Sequence, residues 1–172
     1  MKSINEIANK IELLVLDVDG VLTDGRIVYC SDGSDMKFFN VLDGMGLSLM
    51  AKANIPVAFM SAKSSSVIKR RAQSCNVKIV LEDVSDKGKA IEDLSKGMNI
   101  SLDKIAFVGD DLVDIRAMKK VGFPIAVANA ALETKQKALY ITEKSGGFGA
   151  VREVCEIILK AKGLWNELVK DF

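Results

Sequence analysis

The chain has 172 residues, 49% hydrophobic and 27% charged, which suits one globular domain with a sizeable core. Its formal net charge of +1 gives no global attraction for nucleic acid or an anionic membrane. Histidine is absent, which excludes Ser-His-Asp and Cys-His catalysis and histidine metal sites.

Cys30, Cys75 and Cys155 are scattered, with neither zinc spacing nor a disulfide framework. No apolar run approaches membrane-spanning length, and Met1 to Lys10 is mixed and polar, unlike a signal peptide. A reducing, cytoplasmic location and a single domain over 1–172 are expected.

Taken in order, Ile4–Lys10 reads as a short leading helix and Leu13–Leu16 as a buried strand. Asp17 and Asp19 follow at once, then Gly20, Thr23 and Gly25. Ile27–Cys30 and Lys37–Val41 are β-prone and flank Ser31-Asp32-Gly33-Ser34, a hairpin signal over about 26–41. A helix is expected from Asp43 to about Asn54. Strands at Val57–Met60, Lys78–Leu81, Ile105–Val108, Phe123–Val127 and Leu139–Ile141 then alternate with helices. Those helices are Ser64–Cys75, Lys87–Met98, Leu112–Val121 and Ala131–Lys137, with a last one from Ala150. In that last helix Val151, Val154, Cys155 and Ile158 keep the spacing of a buried face, making Cys155 a core thiol. Gly163–Phe172 is read as a tail that docks on a neighbour or frays. The alternation implies an α/β fold, Rossmann-like and doubly wound, with a mainly parallel sheet and an inserted hairpin.

The residues just after the strands carry the chemistry. In such a sheet, ligands bind at the carboxyl ends of the strands. Asp17 and Asp19 end the first strand, Ser61 and Lys63 follow the second, Lys87 the third, and Asp110, Asp111 and Asp114 the fourth. Acids alone would suggest a metal; acids with a serine and a lysine suggest a metal and a phosphate. Mg²⁺ takes oxygens from one or two carboxylates and keeps sites for substrate phosphate. An aspartate can act as a nucleophile through an acyl phosphate, and a second acid can carry the proton. Read singly, Ser61 is a helix cap, Lys87 a solvated helix residue, Asp111 a cap and Gly146-Gly147-x-Gly149 a flexible turn. Their shared sheet edge is what joins the first two to the acids.

Asp17-Val18-Asp19-Gly20-Val21-Leu22-Thr23 resembles the first motif of the haloacid dehalogenase superfamily of phosphatases. Ser61 is similar to its second motif, Lys87 to its third, and Gly109-Asp110-Asp111-x-x-Asp114 to its fourth. Phe39-Asn40-Val41-x-Asp43-Gly44, Gly122-Phe123-Pro124 and Gly146 to Val154 resemble a capless branch that acts on phosphorylated sugar acids. The resemblance implies Asp17 as nucleophile and Asp19 as general acid/base. It implies Mg²⁺ on Asp17, Asp110 and the Asp19 carbonyl, and phosphate on Ser61 and Lys87. Asp111 and Asp114 would support the metal site, and Thr23 and Lys63 the substrate. The implied substrate is 3-deoxy-D-manno-octulosonate 8-phosphate, used on the way to lipopolysaccharide, with a nine-carbon acid phosphate as the alternative. The branch also implies a homotetramer whose hairpins wall off neighbouring sites, and no cap domain. Three stretches depart from the usual pattern: Ala62-Lys63 for Gly-Arg, Leu42 for Arg, and Glu82-Asp83 for Gln-Gly.

Two rivals belong to other classes. A signalling receiver domain shares the sheet, acids and lysine, but its first acids are adjacent and its phosphorylated Asp ends a middle strand. Here Val18 separates the acids and Val57–Met60 ends in Ser61. A catalytically silent subunit would show degraded motifs, and these are intact.

Overall fold

The structure is a computed structural model describing residues 3–33, 35–170 and 172. Met1, Lys2, Ser34 in the expected turn, and Asp171 in the tail lie outside the described residues. Six parallel strands form the main sheet: β1 (Leu13–Asp17), β4 (Val57–Met60), β5 (Ile79–Leu81), β6 (Ile105–Gly109), β7 (Phe123–Ala126) and β8 (Tyr140–Ile141). Their spatial order is β5-β4-β1-β6-β7-β8. Counted along the chain this is the doubly wound Rossmann order, which reverses on the two sides of β1. A separate hairpin, β2 (Val28–Tyr29) with β3 (Asp35–Met36), interrupts the chain between β1 and β4.

Every residue of β1, β4, β6 and β7 is buried, as befits parallel strands covered on both faces. On one face α1 (Ile4–Ala8) and α2 (Val41–Lys52) pack with α7 (Ala150–Ala161). On the other, α4 (Lys87–Met98) packs with α5 (Ile115–Met118). The buried face of α7 is Val151, Val154, Cys155, Ile158 and Leu159, each such aliphatic residue contributing roughly 1.5–3 kcal/mol. Burial drives the Cys155 thiol pKa far above its usual range, as a core thiol requires.

Several boundaries differ from the sequence reading. The Asn40 side chain accepts from Leu42 N at 2.8 Å and starts α2 two residues early. Among the described residues the hairpin pairs Val28 with Met36 and Tyr29 with Asp35, and Lys37–Asn40 runs on as irregular chain to that cap. The expected helix Leu112–Val121 is a 3-10 turn over Leu112–Asp114 followed by the single turn of α5. Within the tail, Trp165–Val169 forms α8, which packs on α7. The guanidinium of Arg152 and the ammonium of Lys160 lie 5.3 and 5.1 Å from the Trp165 ring.

Candidate active site

Register brings the distant motifs to one edge. Asp17 pairs with Met60 of β4, so Ser61 lies one residue beyond it on the next strand. On the other side Leu16 pairs with Val108 of β6, and the chain leaves that strand through Gly109 into Asp110. Met60 in turn pairs with Leu81, and β5 leads through Asp86 into α4. The Asp86 carboxylate accepts from Gly88 N at 2.9 Å and Lys89 N at 3.1 Å, so the helix opens with Lys87 pointing inward.

Lys87 is the hub. Its side chain is 3% exposed, and its ammonium donates to Asp17 Oδ1 and, at 2.6 Å, to Asp114 Oδ1. Asp114 Oδ2 accepts from the amides of Asp110 at 2.9 Å and Asp111 at 3.3 Å. Both oxygens of Asp114 are therefore committed within the protein. Burial alone would lower the lysine's pKa, but the charges of Asp17 and Asp114 hold it above the usual value. Asp17 is pushed up to about 8, first by burial and then by Asp114 and Asp110 against the pull of Lys87. Asp110 rises to about 7, chiefly through burial and the neighbouring Asp114 charge.

One ammonium thus faces three acids whose oxygens lie within 4.8 Å of one another. The excess negative charge calls for a cation, and an all-oxygen donor set fits a hard divalent ion. With Asp114 occupied, Asp17 and Asp110 are the carboxylates open to it. The site residues therefore fit Mg²⁺.

Asp19 is partly buried, and Lys37 Nζ pairs with its Oδ1 at 2.5 Å. Ser61 is buried, with its Oγ accepting from Lys63 N at 3.1 Å. Lys63 itself is exposed at the rim. Asp111 caps the 3-10 turn through Leu112 N at 2.8 Å, which favours its helix-cap reading over support of a metal. Thr23 lies beneath the site rather than on its surface. It is 1% exposed, and its hydroxyl accepts from Gly20 N at 3.2 Å and Gly25 N at 3.3 Å, bracing the loop from within.

Some site-building residues were invisible in the linear pattern. Gly146 opens a closely packed turn: a Cβ there would overlap the Gly20 carbonyl. Its own amide donates to Asn129 Oδ1 at 2.8 Å, and Asn40 Nδ2 holds the Gly147 carbonyl at 3.2 Å. Gly20 in turn leaves room for the Asp110 carboxylate. Asp43 is fully buried and accepts from Arg152 N at 2.8 Å, capping α7 from α2. The glycine cluster was the one available signal for the first contact. Nothing in the spacing pointed to Lys37 or to the target of Asp43.

A doubly wound sheet presenting acids and a buried lysine at adjacent strand ends suits a class, metal-dependent enzymes of phosphoryl transfer, and the spaced acids of the first strand place the chain on its hydrolase side. Residues 51–154 match the model of the haloacid dehalogenase-like hydrolase family. A 3-deoxy-D-manno-octulosonate 8-phosphate phosphatase of Salmonella typhi is 40% identical over 160 residues, 93% of this chain and 85% of the relative. The corresponding Moraxella catarrhalis phosphatase, solved with magnesium, phosphate and KDO, superimposes with a TM-score of 0.96 at 40% identity, over 98% of this chain and 97% of that one. The cobalt-bound Haemophilus influenzae phosphatase gives a TM-score of 0.88 at 35% identity, over 91% of this chain and 92% of that one. The chain belongs to the haloacid dehalogenase-like hydrolase family.

Proposed function

We propose that this chain is a Mg²⁺-dependent phosphatase that converts 3-deoxy-D-manno-octulosonate 8-phosphate to 3-deoxy-D-manno-octulosonate and phosphate. The observation that carries the reading is the buried Lys87 ammonium shared by Asp17 and Asp114, with Asp110 alongside. The 40% identity to a phosphatase holding magnesium, phosphate and KDO supports the substrate.

Asp17 is the nucleophile. Lys87 takes its Oδ1, and Oδ2 attacks phosphorus from the face opposite the sugar oxygen. As that bond forms, the ester P–O bond breaks, its electron pair stays on the sugar oxygen, and Asp19 delivers a proton there. Water then attacks the aspartyl phosphate, Asp19 takes the water's proton, and the bonding pair returns to the Asp17 carboxylate. Ser61 and Lys87 hold the phosphoryl oxygens, and Lys63 faces the acid end of the sugar. Asp17, Asp110 and the Asp19 main-chain carbonyl would hold Mg²⁺, which would supply the charge that offsets the phosphoryl oxygens.

The same reading places the reaction in the cytoplasm, on the route to lipopolysaccharide, and in a homotetramer. Among the described residues no helix is long and apolar enough to cross a membrane. Ile27, Tyr29, Met36, Phe38 and Val41 leave large apolar side chains exposed on and beside the hairpin, which supports self-association there. Light scattering of wild type and Phe38→Glu tests it: a tetramer that the substitution dissociates supports the assembly, and a wild-type monomer rejects it.

The test of the activity is phosphate release from eight-carbon, nine-carbon and ordinary sugar phosphates, with Mg²⁺ and with chelator. Preference for the eight-carbon acid phosphate, lost with chelator, is expected. A nine-carbon preference would replace the substrate, and no metal-dependent release would overturn the reading.

A further inference from the structure

One charged side chain outside the strand-end motifs reaches the reacting groups. Lys37 follows β3, and its ammonium sits on Asp19 Oδ1 at 2.5 Å. Its side chain is 14% exposed and that of Asp19 33%, so the contact is partly buried. The backbone on either side is anchored. Upstream, Ser65 Oγ at the start of α3 (Ser66–Ser74) donates to Asp35 Oδ2 at 2.7 Å. Downstream, Arg71 Nη2 donates to the Asn40 carbonyl at 2.7 Å, and its guanidinium lies 5.2 Å from the Phe39 ring. Between them the Arg26 guanidinium stands 5.1 Å from the Phe38 ring. Lys37 is thus delivered to Asp19 by a segment tied at both ends to its own chain.

An aspartate that passes a proton to a leaving oxygen has two equivalent oxygens and a free torsion. It works best when one oxygen is held and the other faces the reaction. We propose that Lys37 is a positioning residue for Asp19: by holding Oδ1 it presents Oδ2 to the leaving-group oxygen and later to the attacking water. The proposal rests on the role given to Asp19 above. In the first step Oδ2 gives its proton to the ester oxygen as the P–O bond breaks and the Asp17–P bond forms. In the second, Oδ2 takes a proton from water as the new P–O bond forms and the Asp17–P bond breaks. Lys37 itself takes part in neither proton transfer.

The experiment compares wild type, Lys37→Met and Lys37→Arg at saturating Mg²⁺ on p-nitrophenyl phosphate and on an alkyl phosphate monoester. The p-nitrophenolate leaves without a proton, whereas the alkoxide needs one. In K37M, kcat/KM for the aryl ester is expected to be kept, and that for the alkyl ester to fall about 10²-fold. p-Nitrophenol should also appear as a burst, because water attack on the aspartyl phosphate is slowed as well. K37R should restore the alkyl ester. Lys37→Gln serves as the second removal variant, and circular dichroism verifies the fold of each. An equal fall on both esters would mean a structural role and would overturn the proposal, as would no change on either. Wild type inactive on both esters would overturn the phosphatase reading itself.

Discussion

The Asp114 carboxylate ties the third and fourth motifs together: its Oδ2 accepts from the Asp110 amide at 2.9 Å while its Oδ1 holds Lys87 at 2.6 Å. An asparagine keeps only one acceptor oxygen, so either the amides or the lysine loses its partner. Asp114→Asn is expected to lower unfolding stability by about 1–3 kcal/mol. It is also expected to lower kcat by about ten-fold or more, because Lys87 is no longer aimed at Asp17. Urea denaturation and phosphate release measure the two effects.

Metal binding should register in stability. In metal-free protein Asp17 and Asp114 share one ammonium, and Asp110 lies beside them without a lysine of its own among the described residues. Mg²⁺ at a hundred times its Kd should stabilise the native state by about 2.7 kcal/mol. For a domain of this size that is a rise in Tm of roughly 5–10 °C. Asp110→Asn should abolish most of the rise in a thermal melt, and chelator should reverse it in wild type.

How much of this was legible follows the range of each interaction. The unbroken apolar run Leu13–Leu16 announced a buried parallel strand, and the acids after it announced the site. Lys87–Met98 was readable to the residue, because Asp86 caps one end and Asn99 takes the left-handed turn at the other. The hairpin register was not, because Lys37–Asn40 looks β-prone yet is drawn to Asp19 and to the cap of α2. The helix after Asp110 was overestimated for a related reason. Asp114, instead of lying on a regular helix, reaches to Lys87 and to the amides before it. Asp43 and Trp165 find partners more than a hundred residues away or on an adjacent helix, and local pattern carries no trace of either.

Two glycines separate close packing from backbone freedom. A Cβ at Gly146 would overlap the Gly20 carbonyl and shift the loop carrying Asp19. Gly146→Ala should therefore lower kcat by about 10²-fold in a protein that still folds. Gly97 lies inside α4 with nothing within 4 Å of its would-be Cβ. Gly97→Ala should stabilise by roughly 0.5–1 kcal/mol and leave turnover unchanged. Circular dichroism melts with parallel activity assays distinguish the pair.

Asp43 gives a pH dependence of defined sign. Burial raises its pKa above the ordinary 3.8, despite hydrogen bonds from the start of α7, and among the described residues its Oδ2 has no hydrogen-bond partner. A raised carboxyl favours the native state most when protonated. Its contribution is full below the unfolded value and is lost as pH rises through the elevated native one. Asp43→Asn keeps an oxygen for Arg152 N and removes the buried charge. Urea denaturation from acid to neutral pH should show that the variant loses this decline and is at least as stable as wild type at neutral pH.

The register of β1 between β4 and β6 has a consequence for assembly of the site. Asp17, Ser61, Lys87 and Asp110 come from four separate βα segments and meet only when those strands are side by side. Parallel strands share no local turn, so each pairing closes a long loop, and such contacts form late. Helices such as α4 and α7 can form while the acids are still far apart. Catalytic competence in this protein is accordingly a property of the completed chain crossing. On refolding, the return of phosphate release is expected to trail the return of helical signal, so that enzymatic activity reports the closing of the sheet.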